Sequence, residues 1–390
     1  MFRKFLFLVG FGLNLACVEA QNFPKLGNDT LLDVACWNTE WFGDVSNGPT
    51  DEGTQYTNVL ALLNKTDIDV FALEEMSNYN TYNTLSTALA SKYDTYISTF
   101  SQTQKMCLYW KKSMFNVIGT ETKDIPLNSS ENYNFASRPP LQVCLQTIGG
   151  TKTDTIYFLV MHMKAYADLD SYNRRVGASA ALKTYIEANL KGKKFIVLGD
   201  WNDDLDQSTY NAAVTPFKNL LDANYTFPSK ELTDIGKSSY AFSVNMIDHI
   251  LNSKTLDSIY LKGTAHVFDN APSYCTGFSN NTSDHYPVYA FYDWKKLTTR
   301  VIPAGLEMVA SNSAINIFPN PVSSIVSINC DRDVNSLRIV TIQGKIISNL
   351  SKENLYMKDI QLDLAELEPG IYFIELTFGN SVYLKKIVKN

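Results

Sequence analysis

The sequence predicts a mixed α/β domain followed by a smaller all-β domain. Up to about Lys296, short apolar runs typical of strands alternate with helical patterns. From residue 314 onward, only short strand-like segments separated by turn residues remain, which indicates a small β-sandwich. The chain has 390 residues, enough for two domains at roughly 150 residues each.

The first domain is expected to contain eight strands, each an apolar run of the length that buried strands have. They are Leu32–Trp37, Val70–Leu73, Met106–Trp110, Leu141–Thr147, Ile156–Met161, Phe195–Leu198, Met246–Leu251 and Pro287–Tyr292. Three helical patterns lie between them, at Thr57–Leu63, Tyr82–Ala90 and Ser171–Leu190. Gly192 follows the longest of the three, as expected at a helix end.

The second domain begins after a linker. We predict that residues 21–296 form the first domain, 297–313 the linker and 314–390 the second domain. The expected strands of the second domain are Ile315–Phe318, Val326–Asn329, Leu337–Ile342, Lys345–Ile347, Ile371–Leu376 and Val382–Val388.

Residues 1–20 have the features of a secretory signal peptide. A basic start precedes an apolar segment over residues 5–16, and Ala20 offers a small residue at the cleavage site. The alternative is a lipoprotein signal that uses Cys17, although Asn14 stands where such a signal prefers an aliphatic residue. No later run approaches the roughly 18 apolar residues of a membrane helix, so no transmembrane segment is expected.

Charge and cysteine content exclude some functions. The formal net charge is −6, so a broad electrostatic attraction to nucleic acid is not expected, although a metal-filled cleft can still bind phosphates. Five scattered cysteines remain after signal removal, with no CxxC pair. They indicate neither a disulfide framework nor structural zinc, and leave room for one or two disulfides at most.

Polar residues occur at the ends of the predicted strands. Carboxylate and amide oxygens there are ligands suited to Mg²⁺, Mn²⁺ or Ca²⁺ and poor for zinc. A histidine beside a carboxylate can serve as an oriented general base, and asparagine or arginine can hold a phosphoryl oxygen. The residues of these types at or near the predicted strand ends are Asn38, Glu75, His162, Asp200, Asn202, Asp248, Asp284 and His285.

The series of motifs resembles the endonuclease/exonuclease/phosphatase superfamily, which has the fold of deoxyribonuclease I. The resemblance covers roughly residues 31–294 and implies a two-sheet β-sandwich flanked by helices. The matching motifs are Trp37-Asn38, Leu73-Glu74-Glu75, Gly199–Asn202, Asp248-His249 and Ser283–Val288.

The resemblance implies a divalent cation, Mg²⁺ or else Mn²⁺ or Ca²⁺. Asn38 and Glu75 match its ligand positions, with Glu75 the chief ligand. Asp284 matches a neighbouring carboxylate that contacts the metal or water.

The remaining motif residues match catalytic positions. Asp200 matches the carboxylate that positions or activates the attacking water, and Asn202 matches the amide that contacts the scissile phosphate. His285 matches the histidine that faces this phosphate, with Asp248 orienting its imidazole. His162 resembles the second histidine of the nuclease branch.

Several basic and acidic residues bear on how far the resemblance extends. Arg138 resembles the phosphate-binding arginine of the nuclease branch. Glu74 stands where the family usually has glutamine, which adds a charge. Gln104 stands where the vertebrate nuclease has a glutamate beside its second histidine, which leaves the protonation role of His162 open. Lys164 is as compatible with substrate contact as with a surface position, whereas Arg174-Arg175 is more typical of a solvated helix face.

The second domain resembles the C-terminal sorting domain of type IX secretion over about residues 314–390. The matching segments are Phe318–Val322, Gly344-Lys345, Leu367–Tyr372 and Lys385–Lys389. The resemblance implies export by the type IX secretion machinery of a gram-negative bacterium, followed by release or attachment to the outer cell surface. The alternative, a carbohydrate-binding β-sandwich, lacks an aromatic platform in the sequence.

Together these features predict a secreted, metal-dependent phosphodiesterase. The expected substrate is nucleic acid, DNA or possibly RNA, cut with little sequence preference, and the expected state is a monomer. One alternative is a phosphodiesterase or phosphatase of lipid or small phosphate esters, similar to sphingomyelinases, although the sequence shows no exposed aromatic hairpin suited to a lipid surface. A second alternative is a non-catalytic surface binding protein on the same scaffold.

Overall fold

The computed structural model describes residues 22–49, 51–299, 315–330, 333–341, 345–350, 358–378 and 381–390. The predicted signal peptide and most of the predicted linker, from residue 300 onward, lie outside the described residues. No helix within the described ranges is long and apolar enough to cross a membrane.

The described residues up to 299 form twelve strands and eight α-helices. The strands are β1 Leu32–Phe42, β2 Val70–Met76, β3 Tyr93–Ile97, β4 Lys105–Lys111, β5 Phe115–Val117, β6 Lys123–Asp124, β7 Leu141–Thr147, β8 Thr155–His162, β9 Lys194–Asp200, β10 Asp248–Asn252, β11 His266–Val267 and β12 Val288–Tyr292. The helices are α1 Glu52–Thr66, α2 Tyr79–Leu89, α3 Ser129–Asn134, α4 Leu169–Asn189, α5 Lys218–Asp222, α6 Lys230–Thr233, α7 Phe278–Asn281 and α8 Trp294–Thr298.

Two six-stranded sheets are built from these strands. The order is β11-β12-β1-β2-β4-β3 in the first sheet and β10-β9-β8-β7-β5 in the second, where β6 also pairs with β7. Each sheet has a parallel pair near its centre, β1 with β2 and β8 with β9. Side chains of both sheets, such as Val34 and Phe158, form one buried cluster between them. Helices α1 and α2 cover the outer face of the first sheet, and α4 covers that of the second.

The predicted two-sheet β-sandwich flanked by helices is therefore confirmed. Central strands such as β9 are buried on both faces, because one face meets the opposite sheet and the other meets a helix. This is why they read as continuous apolar runs. Helices α1, α2 and α4 are each preceded by an N-cap residue whose side chain accepts hydrogen bonds from backbone N–H groups of the first turn. These residues are Asp51, Asn78 and Asp168.

The sequence analysis did not predict the strands and the helix end that are rich in polar residues. Helix α1 begins at Glu52, five residues before the predicted start, because its first turn is polar and is defined by the cap at Asp51. The short strands β3, β5, β6 and β11 were not predicted because they carry partly exposed, polar residues. Strand β10 begins at Asp248, after the predicted start.

The described residues beyond 315 form only strands, as predicted. They are β13 Asn316–Phe318, β14 Ile325–Asn329, β15 Ser336–Thr341, β16 Ile346–Leu350, β17 Asp359–Asp363, β18 Gly370–Phe378 and β19 Ser381–Lys389. One sheet has the order β13-β14-β17 and the other β16-β15-β18-β19. Buried residues such as Val326 and Ile374 form their own apolar cluster. Strand β17 was not predicted because its sequence alternates acidic and apolar residues.

Four of the cysteines, Cys36, Cys107, Cys144 and Cys275, are buried free thiols. They act as small core residues, so the disulfides that the sequence left open do not form among these four.

Candidate active site

Three predicted catalytic side chains lie side by side in the second sheet. His162 ends β8 and pairs with Asp200 at the end of the parallel strand β9. Asp200 in turn pairs with Asp248, the first residue of the antiparallel strand β10. The strand register therefore brings together residues that are up to 86 positions apart in the chain.

The first sheet contributes Asn38 from β1 and Glu75 from the end of β2. In a regular strand Glu75 would share the outer, helix-covered face with Leu73, because side chains alternate between faces. However, Glu75 has a φ of 61° and the pairing with β4 is irregular between Leu73 and Met76. This local kink turns the carboxylate into the cleft.

Asn38 links the two sheets. Its Nδ2 donates to Glu75 Oε1 at 3.1 Å and to Asp200 Oδ2 at 3.0 Å. Its Oδ1 accepts from the backbone N–H of Glu40 at 2.9 Å. As placed, Asn38 therefore orients the two carboxylates through its nitrogen, and its oxygen faces the backbone.

Asn202 holds Asp200 on both oxygens. The backbone N–H of Asn202 donates to Asp200 Oδ1 at 2.9 Å, and its Nδ2 donates to Oδ2 at 2.9 Å. The same Nδ2 donates to the carbonyl of Met163 at 3.2 Å. Asn202 adopts a φ of 57°, a left-handed conformation that asparagine tolerates better than most residues. The turn after β9 thus orients the carboxylate that precedes it.

His285 faces Asp200 from the loop before β12. Its Nδ1 lies 2.8 Å from Asp248 Oδ2, and its Nε2 lies 3.9 Å from both Asp200 Oδ2 and Asp284 Oδ1. Burial by itself would lower the pKa of His285, but Asp248, Asp200 and Asp284 outweigh it and raise this pKa well above the usual value. Burial raises the pKa of Asp200 to about 7, although the positive charge of His285 opposes the shift.

His162 and Arg138 form the opposite side of the same site. His162 Nε2 lies 3.5 Å from both Glu75 Oε1 and Asp200 Oδ2. Burial lowers the pKa of His162 well below its usual value, and Arg138 adds to the shift, although the two carboxylates are close. Arg138 donates to Gln104 Oε1 at 2.5 Å and to the carbonyl of Met163 at 2.6 Å.

The sequence left open the protonation role of His162, because Gln104 stands where the vertebrate nuclease has a glutamate. Gln104 supports Arg138, and the Nδ1 of His162 has no hydrogen-bond partner among the described residues. Glu74 points away from the cleft into the space between the sheets, where it is fully buried close to Gly199. Burial raises the pKa of Glu74 well above its usual value and so favours the uncharged form of this carboxyl group.

The expectation of a solvated face at Arg174-Arg175 is wrong for Arg175. Arg175 is fully buried, and its Nε donates to Asp203 Oδ2 at 2.8 Å. Arg174 is half-buried and lines the cleft, with its guanidinium 4.2 Å from the ring centroid of Tyr133. The 3.6-residue period alone could not tell these two neighbours apart, because an arginine in the core needs a buried partner that lies elsewhere in the chain.

The site residues predicted from the sequence, except Asp248, line one open cleft of about 740 Å³. Among the cleft residues that the sequence analysis missed are Glu40, Tyr166 and Tyr240. Glu40 Oε2 accepts from the backbone N–H of Asp284 at 2.9 Å, and burial and the nearby Asp284 raise its pKa to about 7. The ring of Tyr240 lies 5.1 Å from that of His285. Of these three residues, only Glu40 had a sequence signal for its place in the cleft, because it follows Asn38 by two positions.

The donor set fits a divalent cation. Glu75, Asp200, Asp284 and Glu40 bring oxygen ligands to one partly buried cleft, and such oxygens are the ligands that Mg²⁺, Mn²⁺ and Ca²⁺ take. The tightest group of potential ligand atoms among the described residues is Asp200, Asp248 and His285, all within 4.8 Å of one another. Of these three, Asp248 is already engaged with His285.

The two-sheet fold and this cleft of carboxylates and histidines define a hydrolase of the deoxyribonuclease I-like class. The chain belongs to the Endonuclease/Exonuclease/phosphatase family, whose profile matches residues 35–285 and so includes every predicted site residue. Residues 316–390 match the Secretion system C-terminal sorting domain, which confirms the predicted sorting tail and indicates export. A comparison with curated proteins found no match.

Solved structures with a similar fold include proteins from human, Archaeoglobus fulgidus and Bacteroides thetaiotaomicron. The human Nocturnin catalytic domain is 15% identical, with a TM-score of 0.47 over 67% of this chain and 93% of that one. An AP endonuclease from Archaeoglobus fulgidus is 13% identical, with a TM-score of 0.49 over 67% and 99%. An endonuclease/exonuclease/phosphatase family protein from Bacteroides thetaiotaomicron is 14% identical, with a TM-score of 0.44 over 67% and 97%. At these identities the likeness concerns the fold alone.

Proposed function

We propose that this protein is a secreted, divalent-metal-dependent phosphodiesterase that hydrolyses nucleic acid with little sequence preference. The observation that supports this most is the convergence on Asp200. Asn38 from the first sheet and Asn202 from the turn after β9 both bond to its carboxylate, and His285 Nε2 lies 3.9 Å away. A carboxylate, amides and a histidine around one point can orient an attacking water and hold a phosphoryl oxygen, which suits metal-assisted phosphodiester hydrolysis.

Glu75 is the proposed chief ligand of the cation, with Asp284 and Asn38 as neighbours. Asn38 would present its oxygen after rotation of the amide, since Nδ2 now faces the carboxylates. When bound, the cation supplies charge neutralisation on the phosphate and lowers the pKa of a coordinated water.

The protein's own groups handle the proton and the orientation of the attacking water. Asp248 holds the Nδ1 of His285, so Nε2 is the nitrogen that faces the cleft and can exchange a proton. Asp200, held on both oxygens by Asn202, is placed to align the water for in-line attack. Arg138 and His162 provide hydrogen-bond donors for the phosphate on the other side.

The positive charges of the cleft favour nucleic acid over a small ester. Lys164 and Arg174 line it in addition to Arg138, which is assigned to the reacting phosphate. Further cations in the cleft suit a substrate that carries further phosphates along its chain. This also reconciles the acidic chain as a whole with a polyanionic substrate.

A second candidate function is hydrolysis of a phospholipid at a membrane surface. Phe242 and Val244 are 63% and 85% exposed, and Phe242 packs against Tyr240 at the edge of the cleft. They are one aromatic ring and one valine in a loop, not the aromatic hairpin that the sequence analysis did not find. Two exposed apolar residues beside an active site could insert among lipid head groups.

The test compares several substrates and cations, and it uses two active-site variants with one control variant. Purified mature protein is mixed with plasmid, RNA, sphingomyelin vesicles or a chromogenic phosphodiester, each with Mg²⁺, Mn²⁺, Ca²⁺ or a chelator. We expect metal-dependent cleavage of nucleic acid, and a loss of roughly 10²–10³-fold in kcat for His285→Ala and for Asn202→Ala. The matched control is His266→Ala, which changes an exposed histidine outside the cleft.

Each result has a definite meaning. Plasmid nicking that persists in chelator contradicts the metal role, and near-normal turnover in folded His285→Ala contradicts the assignment of the site. Hydrolysis of sphingomyelin vesicles without cleavage of nucleic acid selects the second candidate.

We also propose the domain division and the route of export. Residues 21–296 would be the catalytic domain, 297–313 a linker and 314–390 the domain recognised by the type IX secretion machinery, which leaves the enzyme secreted or on the outer surface of a gram-negative cell. A chain truncated at residue 313 should retain activity in extracts but stay inside the cell envelope. Normal export of that truncated chain would contradict the role of the tail.

A further inference from the structure

The connection between β8 and α4, residues 163–168, is held more firmly than an ordinary loop. Arg138 and Asn202 both donate to the carbonyl of Met163. The Nη1 of Arg175 donates to the carbonyls of Lys164 and Tyr166, each at 2.8 Å. Polar groups on neighbouring elements therefore determine the path of the backbone from the active-site histidine to the helix.

The arginine that holds this connection is itself fixed by a buried network. Arg175 and Asp203 are both fully buried and joined by a 2.8 Å ion pair. Asp203 also accepts from Ser208 Oγ at 2.7 Å and from the backbone N–H of Thr209 at 2.6 Å. A buried ion pair must be nearly fully satisfied to be tolerated, and part of what satisfies this one is the backbone at Lys164 and Tyr166.

The held segment presents an aromatic ring to solvent. Tyr166 has a φ of 81°, a left-handed conformation that is strained for a residue with a Cβ. The residue is 74% exposed, so burial does not offset this strain. Strained residues of this kind persist where the surrounding structure imposes them, and they cluster at functional sites.

The surroundings of Tyr166 suit a nucleotide. The ammonium group of Lys164 lies 4.4 Å from the centroid of the Tyr166 ring, and most of the ring remains open. Both residues line the cleft together with Arg174. Lys164 follows His162 by two positions in the chain, and both line the same cleft as Tyr166.

We propose that Tyr166 is a platform on which a nucleobase next to the scissile phosphate stacks, with Lys164 and Arg174 binding the neighbouring backbone phosphate. The proposal rests on the proposed nuclease function and extends it, because it specifies a polynucleotide whose base is contacted beside the cut. Stacking on an aromatic face accepts every base, which agrees with cleavage that has little sequence preference.

The test uses single-stranded oligonucleotides in which every linkage except one is a phosphorothioate. This substitution keeps the backbone charge and confines rapid cleavage to one site. A series of substrates carries an abasic sugar at successive positions on either side of that site. The full chain is compared with Tyr166→Ala and Tyr166→Phe, and folding of each variant is checked by thermal unfolding.

We expect one abasic position to raise KM of the wild-type enzyme by roughly 10-fold, the size of a single base–aromatic stack. Tyr166→Ala should show the same rise with the intact substrate and should be insensitive to the base at that position. Tyr166→Phe should behave as the wild type, because it keeps the ring. In each case kcat should change little, since stacking binds substrate and transition state alike.

The control is a second lysine–tyrosine pair outside the cleft. Lys254 Nζ lies 5.8 Å from the ring centroid of Tyr225, in a separate pocket. Tyr225→Ala should retain the wild-type response to every abasic position.

Two outcomes would overturn the proposal, and they are distinguishable. If the wild type cuts the oligonucleotides but Tyr166→Ala responds to each abasic position as the wild type does, the stacking platform is wrong and the nuclease function stands. If the wild type cuts no oligonucleotide in any cation, the proposed nuclease function is wrong and the platform with it.

Discussion

His285 Nδ1 and Asp248 Oδ2 lie 2.8 Å apart in the buried base of the cleft. Asp248 is fully buried, and its other carboxylate oxygen has no partner among the described residues. The loop that carries His285 is fixed independently, because Trp37 Nε1 donates to the His285 carbonyl at 2.9 Å. The carboxylate therefore determines the tautomer and the rotation of an imidazole whose backbone is already in place.

Replacing Asp248 by asparagine should separate orientation from folding. Asp248→Asn keeps the size of the side chain but removes the charge and offers an amide that can favour the wrong tautomer. We expect kcat to fall by roughly 10²–10⁴-fold, the usual contribution of general acid–base catalysis, with native secondary structure retained. The measurement is kcat together with the ¹⁵N NMR signals of the imidazole. Asp222→Asn, at an exposed surface pair, is the control, and normal turnover in Asp248→Asn would contradict the role.

Glu75 should dominate cation affinity. Glu75→Gln removes one negative charge from the proposed ligand set, and we expect the dissociation constant for Mg²⁺ to rise at least roughly 10-fold. Isothermal titration calorimetry, or the rise in Tm on addition of Mg²⁺, measures this without substrate. Glu187→Gln, on the exposed face of α4, is the control. An unchanged Mg²⁺ response in Glu75→Gln would place the cation elsewhere.

Gly199 should not tolerate a side chain. It has a φ of 139°, and a Cβ there would lie 2.0 Å from the carbonyl oxygen of Met161 on the paired strand β8. Because backbone pairing prevents the strands from separating, Gly199→Ala should lower the free energy of unfolding by roughly 3–5 kcal/mol or abolish folding. Gly192→Ala is the control, since Gly192 also has a positive φ but has no neighbour within 4 Å of its Cβ. Similar urea midpoints for both variants would contradict the clash.

Asp33 should make stability depend on pH. Burial and the nearby Asp69 raise its pKa to about 8, and its Oδ1 has no hydrogen-bond partner among the described residues. An unfolded aspartate has a pKa of about 3.9. Between these values the folded chain holds a proton that the unfolded chain has lost, so stability falls as pH rises through this window.

Asp33→Asn removes that dependence. The Asn28 N–H that bonds to Asp33 Oδ2 at 2.7 Å can still find an amide oxygen. We expect the stability gain over wild type to grow from pH 4.5 to pH 7.5, by up to roughly 1.4 kcal/mol per pH unit. Urea unfolding at several pH values measures it, again with Asp222→Asn as the control. A gain that is constant over this range would show that Asp33 is ionised in the folded protein.

Much of the site could be predicted from the sequence because it lies where strands end. Asp200 and Asn202 follow a run that is apolar because a sheet and a helix bury both of its faces. Glu75 could be named from its motif, but its direction could not, because the kink that turns it into the cleft depends on pairing with β4. Glu40, near the end of β1, and Tyr240, in a loop, carry no such motif.

Two pairs of neighbouring residues of the same type differ in burial because different parts of the fold surround them. Glu74 and Glu75 are neighbours, yet one lies between the sheets and the other lines the cleft. Arg174 and Arg175 are neighbours as well, and only Arg175 finds the buried partner Asp203. In each pair the local sequence is nearly the same, so long-range packing decided the outcome.

The amino-acid sequence by itself determined the order of strands and helices, the family and the types of group available for catalysis, because these depend on local periodicity and on motifs that each occupy a few positions. Only the tertiary structure decided which of those groups meet, which are charged, and that Tyr166 stands exposed beside Lys164. Those properties depend on distance and burial, which arise when two sheets pack and bring Asn38 within 3.0 Å of a carboxylate 162 residues away.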